Sequence, residues 1–247
     1  MKPRILEAAR ALKKAHHAVA VTGAGASVES GIPDFRSPNG IWETYPPDRY
    51  ATIEAFLDDP DRVWQMWFDL GAMLGDVLPN PGHHALAELE AMGHLHAIIT
   101  QNIDNLHQAA GNRRVIEYHG NARRMRCLDC DAGTALDLAR HTGSAPHCVA
   151  CGGIMKPDVV LFGEIIPELA MTESELLVRR CDFVLIVGTS ATVYPAAGIP
   201  ATAKQHGAFV VECNVEETDF TCSITDIFIQ GKCGETLPLL AQAMREL

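Results

Sequence analysis

The chain has 247 residues, 47% apolar and 21% charged, and its 31 acidic against 20 basic side chains give a formal net charge of -11. That length suffices for one large domain or a domain carrying inserts, and no apolar run approaches the ~18 residues that a membrane-spanning helix needs. The acidic balance argues against sequence-independent attraction to a phosphate backbone, which rests on Lys and Arg neutralising phosphates. It suits basic partners such as lysine-bearing peptides.

The first segment, residues 3–15, predicts an amphipathic helix with Ile5, Ala8, Ala9 and Leu12 on one face. Charges within its first turns distinguish it from a signal peptide, so a cytosolic protein is expected. "AVAVT" (18–22) reads as a buried strand, followed by a turn built on Gly23 and Gly25. A hydride-transfer fingerprint would place a third glycine at position 28, where Val28 stands, and the chain runs on into Gly31, Ile32, Pro33, Asp34, Phe35 and Arg36. Residues from about 39 to 80 hold all three tryptophans, Trp42, Trp64 and Trp67, with several prolines, helical-looking runs and no convincing strand.

Further along, a helix entered through Pro81 precedes a strand at 96–100, and the run "RVIEYHG" ends at His119 and Gly120. Residues from about 121 to 155 carry paired cysteines among Gly, Asp and Arg, with little apolar content. A helix over 168–180, a strand at 183–189, a helix over 194–205, strands at 208–214 and 227–231, and a last helix after Pro238 complete the pattern. Strand–helix alternation of this kind implies an α/β fold, a doubly wound parallel sheet covered on both faces. The two stretches that break the rhythm read as inserts.

Cys127 and Cys130 form one C-x2-C pair, Cys148 and Cys151 another, and 17 residues separate the pairs. Each pair forms a knuckle presenting two thiolates to one tetrahedral ion, and this separation lets both close on a structural Zn2+ with no open position. Cys181, Cys213, Cys222 and Cys233 are scattered and are expected to be buried as small apolar side chains. Arg123, Arg124 and Arg126 are expected to offset the thiolate charge rather than to bind nucleic acid.

Thr100 to Gly111 follows directly on a strand, and the carboxyl end of a parallel strand faces the ligand crevice of such sheets. Gln101, Asn102 and Asp104 there suit an amide ligand, although Asn102 and Asp104 also suit helix capping. His107 reads as packed or solvated. His119, at a strand end beside an insert, suits a general base near neutral pH. Gly188, Thr189 and Ser190 form a small-residue turn suited to phosphate or ribose. Asn214 and Glu216 mark either a ribose- or adenine-contacting edge or a simple turn.

"GAGASVESGIPDFR", "TQNIDNLHQAAG", "YHG", the cysteine knuckles, "PDVVLFGE", "GTSATVYPAA" and "NVE" occur in that order from Thr22 to Cys233. In this the chain resembles the sirtuins, NAD-dependent protein lysine deacylases, of bacterial and archaeal type. The resemblance implies a Rossmann-like NAD-binding domain of residues 1–38, 81–120 and 156–247. It implies a small domain made of a helical insert (39–80) and a zinc-binding module (121–155).

Position by position, the resemblance implies that Gly23, Ala24, Gly25 and Ser27 hold the NAD pyrophosphate side. Pro33, Asp34, Phe35, Arg36 and Trp42 would close over the nicotinamide ribose, and Gln101, Asn102, Ile103 and Asp104 would form the nicotinamide pocket. Gly188, Thr189, Ser190, Asn214, Val215, Glu216 and Cys233 would line the adenosine half. His119 would be the general base, with Asn102 near the reacting ribose. Val160, Phe162 and Gly163, with Val193 opposite, would sandwich an acylated-lysine peptide as an added strand.

In such enzymes NAD is consumed: nicotinamide leaves, the acyl oxygen attacks the ribose, and an acyl ester of ADP-ribose and free lysine result. That accounts for a mobile segment bearing Phe35 in place of a third-glycine turn. Relatives that remove succinyl or malonyl groups place Tyr and, three residues on, Arg where this chain has Trp67 and Leu70, so neutral acyl groups are expected. ADP-ribose transfer to a protein at the same site is the nearest alternative. A non-catalytic NAD-sensing module does not require His119, and Val28 disfavours a dehydrogenase.

Overall fold

The computed structural model describes residues 1–35, 38, 40–74, 77–137 and 143–247, with the backbone only at 72–74. Helix α1 (Lys2–Lys14) leads into β1 (Ala18–Thr22). Helices α2 (Ile41–Thr44), α3 (Pro47–Tyr50), α4 (Ile53–Asp58) and α5 (Pro60–Leu74) follow. Next come α6 (Pro81–Ala91), β2 (Ala97–Thr100), α7 (Leu106–Ala110), β3 (Val115–Glu117), β4 (Gly120–Cys127), β5 (Gly133–Ala135) and β6 (Met155–Val159). The chain continues through α8 (Glu168–Val178), β7 (Phe183–Val187), α9 (Gly198–Gln205), β8 (Phe209–Asn214), α10 (Asp219–Ser223), β9 (Ile227–Gln230) and α11 (Cys233–Glu246).

The main sheet runs β3-β2-β1-β7-β8-β9, and every pairing in it is parallel. Every residue of β1, β2 and β7 is buried, as expected of strands covered on both faces. One apolar layer joins Ile5 and Leu12 of α1, Leu86 and Leu89 of α6, and Leu237 and Leu240 of α11. The other face is closed by Val178 of α8 with Ile199 and Ala203 of α9. Lys13 and Lys14 end α1, where cations favour the exposed carbonyls of a helix terminus. The strand order reverses between β1 and β7, so the crevice at their carboxyl ends is the topological switch point at which doubly wound sheets bind ligands.

A third apolar cluster stands apart from the sheet. It joins Phe56, Val63, Trp64 and Trp67 to Met125, Cys127, Cys148, Met155 and Leu161. The Trp64 indole N–H donates to the Met155 carbonyl at 2.8 Å, and Asp61 accepts from the Ala145 N–H at 2.7 Å. The helices between 41 and 74 and the cysteine-bearing segment therefore share a core.

Several expectations are corrected. The last helix starts at Cys233, and Pro238 lies inside it. Burial of Cys233 and Thr236 and a hydrogen bond from the Gly234 N–H to Glu29 (2.6 Å) hold the turn before the proline. The helix expected over 194–205 starts only at Gly198. The insert from about 121 to 155, read only as poor in apolar residues, contributes to a three-stranded antiparallel sheet of β4, β5 and β6 with Met125 and Met155 buried. Cys222 is exposed, unlike the buried Cys181, Cys213 and Cys233. Arg124 pairs with Glu117 and Asp158, and Arg126 with Asp131 and Asp158, so carboxylates answer these guanidinium groups. Among the described residues no helix is long and apolar enough to cross a membrane.

Candidate active site

At the switch point the loops after β1 and β7 clasp each other. The N–H groups of Gly23 and Gly25 donate to the carbonyls of Val187 (3.0 Å) and Gly188 (2.8 Å). A Cβ on Gly25 would lie 2.8 Å from the Gly188 Cα, and one on Gly188 would lie 2.4 Å from the Ala26 nitrogen. Gly188 also has φ +58°, a left-handed conformation that costs other residues more than glycine. The glycines thus permit two backbones to touch, leaving Ala24 and Gly25 half-exposed at the crevice.

The same crevice continues along β7 and β8. Gln101 donates to the Thr189 hydroxyl at 3.1 Å, and Asn214 donates to the Thr189 carbonyl at 3.0 Å. The Val215 N–H returns to the Asn214 side chain at 2.9 Å. Ser190 and Glu216 line an open cleft of about 400 Å³ with Thr192, Glu217 and Thr218. Cys233 is buried against the Ala26 carbonyl (3.3 Å), and burial followed by the Glu29 charge pushes its thiol up to about 12. Burial and a neighbouring carboxylate favour the protonated thiol, as suits a structural cysteine.

Asn102, Asp104 and Ser27 form one hydrogen-bonded cluster beneath these loops. Asn102 Nδ2 donates to the Gly23 carbonyl (3.0 Å) and to Ser27 Oγ (3.1 Å), and Ser27 Oγ donates to Asp104 Oδ2 (2.7 Å). Asp104 Oδ1 accepts from the Leu106 N–H, the first of α7, at 2.9 Å, so this side chain both steadies the helix start and faces Ser27. Asn102 caps nothing in that helix; its amide is given to the glycine loop. Ile103 is half-buried, and its carbonyl accepts from Ala122 on β4 at 2.9 Å.

Pro33, Asp34 and Phe35 are half-buried, and Phe35 packs against the third apolar cluster. The Phe35 ring lies 4.9 Å from that of Trp42, and the Trp42 N–H donates to the Phe35 carbonyl at 3.1 Å. Arg36 lies outside the described residues.

His119 follows β3. Its Nδ1 lies 3.2 Å from the Gln101 carbonyl, which can only accept, so Nδ1 carries the proton and Nε2 a lone pair. Burial holds this imidazole below its ordinary pKa, partly countered by the same hydrogen bond. A neutral histidine with a fixed tautomer is the form a general base needs.

The backbone ties His119 to the expected peptide edge, because the Val160 N–H donates to the His119 carbonyl at 2.9 Å. Phe162, expected to flank an added substrate strand, has its own backbone paired within the chain. Its N–H donates to the Ala51 carbonyl (2.8 Å) and its carbonyl accepts from Ile53 (2.9 Å), while the residue remains 44% exposed. Gly163 has φ +90° and is exposed, and Val193 is half-buried.

The four cysteine sulfurs lie within 4.8 Å of one another, with Cys127–Cys151 at 3.5 Å and Cys130–Cys148 at 3.7 Å. A tetrahedral ion with Zn–S near 2.3 Å spaces its ligands by about 3.8 Å. The N–H groups of Asp129 and Gly153 donate to the Cys127 and Cys151 sulfurs, both at 3.4 Å, as suits thiolates. The residues fit a structural zinc with all four positions filled by protein.

A layer beneath the cluster escaped the sequence reading. His83 Nε2 lies 3.5 Å from Ser27 Oγ, its ring is 4.9 Å from that of His107, and His107 Nε2 meets Thr22 Oγ1 at 2.9 Å. Thr22 donates to Thr100 (2.8 Å), whose hydroxyl accepts from the Asn102 N–H (3.0 Å). The local signal for His83 was the "NPGHH" helix start, in which Asn80 and His83 form a capping box.

Two loops joined at a switch point, an amide-bearing pocket and a four-thiolate module define a dinucleotide-binding α/β protein with a structural metal site. The chain matches the Sir2 family over residues 23–195. It is 46% identical to an NAD-dependent protein deacylase of Thermococcus kodakarensis, over 97% of this chain and 95% of the relative. It is 48% identical to NAD-dependent protein deacylase 2 of Pyrobaculum aerophilum, over 95% and 93%. Among solved structures it is similar to a Sir2 homologue–NAD complex, with a TM-score of 0.92 and 39% identity over 100% of this chain and 94% of that one. Sir2Af2 bound to a myristoylated histone peptide superposes with a TM-score of 0.83 and 38% identity, over 100% and 98%. The chain belongs to the Sir2 family, the sirtuins.

Proposed function

We propose that this protein is an NAD-dependent protein lysine deacylase for neutral acyl groups, releasing nicotinamide and O-acyl-ADP-ribose. The carrying observation is the neutral His119, its tautomer fixed by Gln101, beside the Asn102–Ser27–Asp104 cluster at the switch point. The deacylase names of its relatives, and the myristoylated peptide on one solved neighbour, support the reading.

NAD, when bound, would supply an activated ribose that gives up nicotinamide and takes the acyl group, one water being consumed as the lysine amine leaves. Gly23, Ala24, Gly25, Gly188, Thr189, Ser190, Asn214, Val215, Glu216 and the backbone at Cys233 would hold its phosphates and adenosine. Ser27, Gln101, Asn102, Ile103 and Asp104 would receive the nicotinamide end. Asn102 has both amide hydrogens committed, which leaves its Oδ1 for the ligand. Pro33, Asp34, Phe35 and Trp42 would cover the pocket and exclude water. His119 would take a proton from a ribose hydroxyl at Nε2. Val160, Gly163 and Val193 would hold the peptide, with the Phe162 ring beside it.

In this reading residues 1–38, 81–120 and 156–247 form the NAD-binding domain, and 39–80 with 121–155 the small domain; the third apolar cluster supports the grouping. We place the activity in the cytoplasm, where a four-thiolate zinc set persists in reduced form. The test is mass spectrometry after incubation with NAD and an acetyl-lysine peptide. Nicotinamide, free peptide lysine and O-acetyl-ADP-ribose are expected; a stably ADP-ribosylated protein without acyl-ADP-ribose would overturn the proposal.

A further inference from the structure

Lys156, at the second position of β6, is 1% exposed. Its ammonium spends its donors inside one turn of chain, on the carbonyls of Val159 (2.6 Å) and Pro157 (3.2 Å) and on Glu164 Oε2 (2.9 Å). The same Glu164 oxygen accepts from the Leu161 N–H at 2.8 Å. Burying an ion pair is costly, and an apolar pair of similar volume often supports a fold as well. What this pair adds is a fixed conformation for residues 159–164.

The hydrogen bonds show what is being fixed. The peptide unit between Val159 and Val160 is gripped from both sides, by Lys156 at its carbonyl and by the His119 carbonyl at its N–H (2.9 Å). Leu161 is held by Glu164, and Phe162 by Ala51 and Ile53. Among the described residues, the Val160 carbonyl and the N–H and carbonyl of Gly163 are left without a partner. Such an unpaired backbone edge is what an extended peptide pairs with.

We propose that the buried Lys156–Glu164 pair is a positioning device for the acyl-lysine peptide, locking the Val160–Gly163 edge in register with His119. The inference rests on the deacylase reading given above. Neither side chain touches the reacting atoms. They act through the backbone, so their loss falls on peptide binding.

Steady-state kinetics on Glu164→Ala, Glu164→Gln, Lys156→Met and the double variant Lys156→Met/Glu164→Met, with an acetyl-lysine peptide and NAD, test this. Glu164→Ala and Lys156→Met are expected to raise KM for the peptide about tenfold or more, with kcat within about threefold and NAD affinity unchanged. Glu164→Gln, whose amide oxygen still accepts from Leu161 and Lys156, is expected to stay within about threefold of wild type. The apolar double variant is expected to keep its thermal stability and still show the raised KM, which separates positioning from folding. A wild-type KM in Glu164→Ala and in the double variant, or an equal loss of NAD affinity, overturns the inference alone. Wild-type protein that leaves NAD intact overturns the deacylase reading, and this inference with it.

Discussion

The Nδ1 atom of His119 lies 3.2 Å from the carbonyl oxygen of Gln101, the residue beside Asn102 of the amide pocket. One carbonyl thereby fixes both the ring orientation and the tautomer of the proposed base. Burial lowers its pKa from the ordinary 6.5, so the imidazole stays neutral and competent down to more acid pH than a free histidine. The acid limb of kcat/KM is therefore expected to have its midpoint below 6.5, with activity falling as pH drops through it. A midpoint above about 7 would contradict the burial argument. His119→Ala is expected to lower kcat by roughly 10²–10⁴-fold while titration calorimetry still detects NAD binding.

His83 and His107 carry a different pH dependence, one of stability. Burial lowers them to about 4 and about 3, with the neighbouring His83 a further cause at His107. Since Thr22 donates to Thr100, His107 Nε2 donates to Thr22, and a proton added at the buried, unpartnered Nδ1 would find no acceptor. Both folded values lie below the unfolded 6.5, so the unfolded chain binds more protons as pH falls. Their contribution is present above 6.5 and is lost progressively toward pH 4, by up to about 1.4 kcal/mol per pH unit for each histidine. Urea unfolding at several pH values should show this slope, and His107→Gln should flatten it. Equal slopes in the two proteins would dismiss the assignment.

Sequence patterns made some layers of this architecture legible and hid others for physical reasons. The buried strands β1, β2, β7 and β8 announce themselves because central parallel strands are apolar on both faces, and the edge strand β9 is legible from its buried Ile227, Phe228 and Ile229. Cys127, Cys130, Cys148 and Cys151 are equally plain, since ligand spacing is a local property. The sheet of β4, β5 and β6 was not, because its strands lie on a small module and the strand-like alternation in β4 spans only Arg124, Met125, Arg126 and Cys127, too short to stand out. His83 escaped because its partner Ser27 is distant in sequence, and only the fold brings α6 under the glycine loop. The partners of Phe162, Ala51 and Ile53, likewise come from a separate insert.

Metal removal should be read through Trp64. Its indole donates to the Met155 carbonyl on β6, and its ring stacks 5.5 Å from Phe68, within a core that includes Cys127 and Cys148. Elemental analysis is expected to give one zinc per chain. Stripping it with a strong chelator, or Cys148→Ser, should red-shift tryptophan emission and lower the melting temperature by on the order of 10 °C. Zinc-free protein with unaltered emission and melting would mean that the thiolate cluster does not hold this core together.

Trp67 and Leu70 lie one turn apart on α5, each 6% exposed, within the apolar cluster that contains Phe56 and Met66. A succinyl carboxylate directed at this surface would leave water for hydrocarbon with no cation supplied by either side chain. An unpaired buried charge costs several kcal/mol, and each 1.4 kcal/mol is a factor of ten. On matched peptides, kcat/KM for acetyl-lysine is therefore expected to exceed that for succinyl-lysine by about 100-fold or more. Introducing Trp67→Tyr with Leu70→Arg should narrow that ratio, because the new pair restores a hydroxyl and a guanidinium to face the carboxylate. A wild-type preference for succinyl-lysine would show that the acid finds a partner elsewhere and that α5 does not set the acyl selectivity.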